Sequence, residues 1–159
     1  MVLYIKQRVF SLGDTYRVYD VNQEPVFEVR SEIFTLGAKI HLYNMAGKEL
    51  FYIKRRLPTL LPAYEIYAGS CLCADIRKEW SFFRPRLTVS SGYGNFELEG
   101  DFWDMDFTIR CAGQTLGSIQ KEWFSWGDAY RLDIADERDM AFFTTMVIAI
   151  DNCLHNENQ

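Results

Sequence analysis

Residues Met140 to Ile150 (MAFFTTMVIAI) carry no charge and only two hydroxyls, in a chain of formal net charge −5. If this segment is helical, Met140, Ala141, Phe142, Phe143, Met146, Val147, Ile148, Ala149 and Ile150 cover every side of the cylinder. A helix that is apolar all round either crosses a membrane or lies at the centre of a core. Residues 140 to 150 rise only about 16 Å, against a hydrocarbon thickness of about 30 Å. Asp139 and Asp151 bracket the run, so lengthening it into a span would bury charge. An interfacial helix needs a polar face, and only Thr144 and Thr145 offer one. The segment therefore reads as a buried helix. Asp136 is its N-cap, with Glu137 and Asp139 in the turn where the helix dipole favours acids.

What surrounds it is written in the remainder of the chain, where apolar and polar residues alternate with period two. The inward candidates are Leu3/Ile5/Val9, Tyr16/Val18, Phe27/Val29, Ile40/Leu42, Phe51/Ile53, Tyr64/Ile66, Leu72/Ala74/Ile76, Leu87/Val89, Phe96/Leu98, Met105/Phe107/Ile109 and Tyr130/Leu132/Ile134. With a further strand at Gln114 to Trp123, about twelve short strands are expected, joined by turns such as Asp20 to Pro25 and the glycine turn at Met45 to Lys48. A closed barrel of about eight strands is filled by its own side chains, whereas about twelve leave a wider hole. An apolar helix along the axis fills that hole. The expected fold is a mainly β, closed antiparallel barrel of about twelve strands around a central C-terminal helix, with residues 1–159 forming one domain.

Segments of the chain echo one another. Ser11 to Val18 (SLGDTYRV) resembles Ser125 to Leu132 (SWGDAYRL). Ala46 to Ile53 (AGKELFYI) matches Ala112 to Ile119 (AGQTLGSI) at Ala, Gly, Leu and Ile, and at the same offset Ala63 to Ile66 falls on Ala129 to Leu132. This agreement points to a duplicated meander of strands.

The opening YIKQRVFSLGDTYRVYDV, the hairpin into PVFEVR, the segment KEWFSWGDAYRLDI and the apolar terminal helix together resemble the LURP-one-related family of the tubby C-terminal-like fold, in particular its short bacterial members. The resemblance covers nearly the whole chain, and WFSWGDAY is its most specific piece. It implies a closed barrel of about twelve strands around the helix, with phospholipid scramblases and the phosphoinositide-binding tubby domains as distant relatives. It brings no catalytic residues.

Composition narrows the function classes. A chain that is 48% hydrophobic and 25% charged is globular, and a net charge of −5 lacks the basic footprint of a nucleic-acid binder. Lys6 and Arg8 interrupt the apolar start, so no signal peptide is expected there. Cys71, Cys73, Cys111 and Cys153 then read as reduced thiols in the cytoplasm. A lone C-x-C pair and two distant histidines make neither a structural zinc site nor a transition-metal site, so no metal or cofactor is expected. His41 lies on an outward strand face and His155 in the tail, and nucleophilic catalysis needs a histidine held beside its nucleophile. Gly92 to Glu97 (GYGNFE) lacks the third glycine of a dinucleotide fingerprint and fits a hairpin. Glu97, Glu99, Asp101, Asp104 and Asp106 alternate with apolar residues, which places them on the outer face.

One feature points towards binding. Basic strand ends run into apolar loops at Lys54 (KRRLPTLLP), Arg77 (RKEWSFF) and Lys121 (KEWFSW). Cations beside aromatics suit an anionic phospholipid interface, with Lys54, Arg56, Arg77, Lys78, Arg84, Arg86 and Lys121 as its candidate residues and the protein peripheral to the membrane. Strand alternation sets Lys54 and Arg56 on a face that Arg55 does not share. The plainer expectation for the apolar residues is that Leu57, Leu60, Leu61, Trp80, Phe82, Trp123 and Trp126 seal the barrel mouths. The leading function is a non-enzymatic module that binds anionic phospholipid, phosphoinositide or a protein partner. The alternative is an enzyme or small-ligand carrier that uses a barrel-end pocket.

Overall fold

The computed structural model describes residues 1–6, 15–80, 86–92, 94–101, 104–124 and 127–155, with the backbone alone for residues 86, 124, 127 and 128. Twelve strands form a closed antiparallel barrel in which each strand pairs with its neighbours in sequence and the last pairs with the first. They are β1 (Val2–Lys6), β2 (Thr15–Asp20), β3 (Pro25–Ser31), β4 (Lys39–Asn44), β5 (Glu49–Arg55) and β6 (Ala63–Ala68), then β7 (Cys71–Glu79), β8 (Arg86–Ser91), β9 (Gly94–Asp101), β10 (Asp106–Cys111), β11 (Gln114–Phe124) and β12 (Gly127–Ile134). Closure runs through five register pairs from Val2↔Asp133 to Lys6↔Ala129. The expected count and the helix-cored closure are both borne out. Val9 lies outside the described residues.

The two echoes that share one offset fall half a barrel apart, whereas Thr15–Val18 and Ala129–Leu132 lie on β2 and β12, on either side of β1. The β4–β5 and β10–β11 hairpins turn through glycines of nearly equal geometry, Gly47 at φ 79° and Gly113 at φ 80°. Register slips by one residue in both hairpins, and each slip leaves out the shared leucine, Leu50 in one and Leu116 in the other. Both leucines pack against the core. The match of Ala63–Ile66 to Ala129–Leu132 likewise relates β6 to β12. Period-two patterning, turn glycine and bulge thus recur together six strands on, as in a pseudo-twofold barrel.

After β12 the chain makes one turn of 3-10 helix, Glu137–Asp139, capped by Asp136, whose side chain accepts from the Arg138 N–H. The bonded Arg138 guanidinium and N–H lower the Asp136 carboxyl to about 2. Helix α1 (Met140–His155) then runs up the barrel axis. Phe142 and Phe143 meet Phe96 at ring-centroid distances of 6.1 and 5.9 Å, and Phe142 meets Phe51 at 6.0 Å, which marks the end where the helix enters. At the far end the Tyr64 hydroxyl donates to the Asn152 carbonyl at 3.4 Å.

The helix continues past the uncharged run to His155, with Asp151 buried at 5% exposure. The Tyr130 hydroxyl, reaching in from β12, donates to its carboxylate at 2.8 Å and supplies the partner that a buried charge requires. Leu72 is exposed rather than inward, because a bulge between β6 and β7 pairs it with the outward Tyr67. Among the described residues no helix is long and apolar enough to cross a membrane.

Candidate functional site

Antiparallel order sorts the connections between two barrel ends. One end gathers the β2–β3, β4–β5, β6–β7, β8–β9 and β10–β11 turns and the entry to α1. The other gathers the connections after β1, β3, β5, β7, β9 and β11, together with the end of α1. The second end holds most of the unexpected surface. Among the described residues, ten large apolar side chains are exposed, and seven of them belong here. Ile33, Phe34 and Leu36 follow β3, Leu57 and Leu60 follow β5, Trp80 follows β7, and Trp123 stands at the end of β11. Val21, Met45 and Leu72 are the three elsewhere.

The expected seal over the barrel mouth is therefore overturned for its main members. Leu60 is 90% exposed, Trp80 74% and Trp123 77%, while Leu57 and Leu61 are only partly covered. Helix α1 already fills the interior, so these side chains have no hole to close. Phe82 and Trp126 lie outside the described residues.

Inside the same mouth lies a polar layer. Tyr16 from β2, Tyr64 from β6 and Tyr130 from β12 are buried around the last turn of α1. Burial pushes the Tyr64 phenol up to about 12, with Arg55 opposing and the Asp151 carboxylate adding to the shift. Tyr16 moves the same way, through burial and then the Asp151 charge. His155, expected in a frayed tail, is the last residue of the helix, and its Nδ1 lies 3.0 Å from Asp151 Oδ1. The Cys153 thiol is buried there and donates to the Pro62 carbonyl at 3.5 Å.

The cations proposed from sequence divide between two faces. Arg55 shares the inward register of Ile53 and pairs across the ladder with buried Tyr64, and its Nε is buried. Lys78 shares the register of Ala74 and Ile76, and Lys121 that of Ile119, opposite buried Tyr130. These three positions therefore border the mouth, near the negative end of the helix dipole. Lys121 Nζ sits 4.8 Å from the centroid of the Trp123 ring. Arg55 thus takes the face that strand alternation sets apart from Lys54 and Arg56, in register with Ile53.

The other candidates face outwards. Lys54 is exposed opposite Glu65 in the β5–β6 register. Arg56 is held by Glu65 Oε1 at 2.6 Å and Asp75 Oδ2 at 2.7 Å, and Arg77 pairs with the other oxygen of Asp75. Lys54 and Arg56 thus share the outer face, but Arg56 and Arg77 already have their anions. Arg86 opens β8 opposite Glu79, and Arg84 lies outside the described residues.

Glu65 and Asp75 side chains are each only 14% exposed, so Arg56→Gln leaves two half-buried carboxylates short of a partner. We expect a loss of about 2 kcal/mol at pH 7, read as a shift in the urea midpoint. Burial raises the Glu65 carboxyl, but its bonds from Arg56 and Tyr67 outweigh that, and its net pKa is lowered. The stabilisation is therefore present above the unfolded pKa near 4.3 and is lost as pH falls through the lower folded value. Wild type and variant should converge in stability in strong acid. An equal gap at acid and neutral pH would show that Arg56 acts by packing alone.

Other candidates for chemistry resolve as structure. His41 lies between two carboxylates, Nδ1 2.8 Å from Glu49 and Nε2 2.9 Å from Glu32, and stacks on Tyr52 at 4.8 Å. The carboxylates take opposite edges of the ring, so they cannot converge with it on one ion. Glu97, Glu99, Asp101, Asp104 and Asp106 are all exposed, as their alternation requires. No group of three potential ligands is arranged to hold a metal among the described residues.

Comparisons with known proteins agree with this architecture. Residues 1–151 match the family model described as LURP-one-related. The chain is 34% identical over 155 residues to the uncharacterized protein YxjI of Bacillus subtilis (strain 168), covering 98% of this chain and 94% of that protein. An X-ray structure of an Arabidopsis thaliana protein superposes with a TM-score of 0.67 at 15% identity, over 95% of this chain and 89% of that one.

Proposed function

The chain belongs to the LURP-one-related family, and we propose that it is a non-enzymatic binding module that docks on anionic phospholipid surfaces through the loop end of its barrel. One observation carries the reading. Apolar side chains project from four connections or strand ends at the same barrel end where Arg55, Lys78 and Lys121 border the mouth. Apolar tips with cations set just behind them match the layering of a membrane interface, where acyl chains lie beneath phosphates. An occupied interior speaks against a carrier that holds its ligand on the barrel axis. A protein partner at the same end is the second reading, since exposed apolar side chains of this extent also serve protein contacts.

The test is co-sedimentation of the full chain with vesicles containing phosphatidylserine or a phosphoinositide. At about 1 kcal/mol per cation near the surface, Lys78→Gln with Lys121→Gln should lower partition roughly thirtyfold at low salt. Failure of the unmutated protein to sediment at low salt would sink the lipid reading and leave the protein partner.

A further inference from the structure

We propose that the loop end does more than rest on charged headgroups: its apolar tips enter the bilayer, so that uncharged phosphatidylcholine membranes suffice for binding. The inference rests on the membrane reading above and deepens it.

Charge alone is a poor source of attraction for this molecule. The net charge of −5 repels an anionic surface at long range, and Arg56 and Arg77 are already paired with Glu65 and Asp75. What distinguishes this end is apolar area. Phe34 is 96% exposed, Leu36 92% and Leu60 90%, values reached only by side chains that touch almost nothing of their own protein. Phe34 also holds a positive φ of 57°, unfavourable backbone for a bulky residue. Two separate costs on one exposed phenylalanine are the kind of outlier that accompanies binding rather than folding.

The arrangement selects the partner. The tips stand on separate connections around a closed rim instead of lining one groove, so they suit a planar, deformable surface better than a rigid helix or strand. Leu57 packs against Gly37, where an added Cβ would lie 3.0 Å from Leu57 Cδ1, and this contact joins the β3–β4 and β5–β6 connections at their base while Leu60 is 90% exposed. Trp123 with Lys121 Nζ at 4.8 Å places an aromatic ring next to a cation, the pairing that sits at the headgroup boundary. Among the described residues the opposite end exposes only Val21, Met45 and Leu72, none above 61%, beside Gly47, Gly69 and Gly113 in its turns.

The chain carries its own probe. Trp80 and Trp123 are exposed at this end, and Trp103 and Trp126 belong in sequence to the β9–β10 and β11–β12 connections, although they lie outside the described residues. The emission of Trp80 and Trp123 therefore reports on this end of the barrel. The full chain is titrated with phosphatidylcholine vesicles bearing brominated acyl chains. Quenching of that emission is expected, together with binding that persists at about 0.5 M salt, where the Debye length is well under 10 Å. The double variant Leu36→Ser, Leu60→Ser should partition at least tenfold less while keeping its melting temperature, because both side chains are exposed. Binding confined to anionic vesicles, lost in salt and without bromine quenching, would overturn insertion and leave the membrane reading standing. No binding to either vesicle type would overturn both. Self-association in sedimentation equilibrium that the double variant loses, without vesicle binding, would identify a second copy of this chain as the occupant.

Discussion

A chain ending at Asp136 is expected to be insoluble or molten, not a smaller folded barrel. Helix α1 is buried from Phe142 to Leu154, and its side chains contribute Phe142, Phe143, Met146, Val147, Ile148 and Ile150 to the core. Losing each large side chain costs about 2–5 kcal/mol, and the total exceeds the 5–15 kcal/mol by which a typical domain is stable. The strands cannot close the gap, since their register is fixed around the ring by twelve pairings. Near-ultraviolet dichroism and dye binding read the result directly. A soluble truncation with a sharp thermal transition would refute the structural role of the helix. The single change Met146→Ala, at a residue with no exposed surface, tests the same packing at a cost of about 3 kcal/mol.

The next largest effect is expected at Gly100. Its φ is +138°, and a Cβ there would lie 2.3 Å from the Asp106 carbonyl oxygen and 2.7 Å from the Phe107 Cα. Phe107 is its register partner, so the atoms in the way are the backbone of the adjacent strand and cannot swing aside. Relief requires β9 and β10 to part. Gly100→Ala should therefore cost about 4 kcal/mol, measured by urea unfolding. Gly47→Ala is the matched control: φ is +79° and nothing lies within 4 Å of the added carbon, so only the conformational cost of about 1 kcal/mol is expected. Equal losses at the two sites would show that the close approach at Gly100 is not rigid.

These two predictions rest on different kinds of information. The helix was legible because an apolar cylinder without a polar side has few places to go, and its eleven-residue core is too short to span a bilayer. The strands were legible because alternation is a local consequence of the pleat. The β4–β5 and β10–β11 hairpins even showed their kinship in sequence, through a turn glycine and a leucine that the structure places at equivalent bulges. Gly100 carried no such mark. Its role arises from the approach of a neighbouring strand.

The candidate site divides along the same line. Sequence grouped Lys54, Arg56, Arg77, Lys78 and Lys121 as cations near apolar loops, and the loops are indeed collected at one end. Adjacent positions on a strand face opposite ways, so that group separates into an outer set tied to Glu65 and Asp75 and a mouth set that gains Arg55. Which carboxylates neutralise which cations depends on strands β6 and β7 lying beside β5. Asp151 likewise reads in sequence as a charge at the edge of the apolar run, and is buried within the helix with Tyr130 brought to it from β12. Periodicity belongs to the chain and determined the barrel, its alternating faces and its central helix. Partnership, exposure and the end at which the apolar tips emerge belong to tertiary structure, because a buried or paired group is defined by atoms that arrive from elsewhere in the sequence.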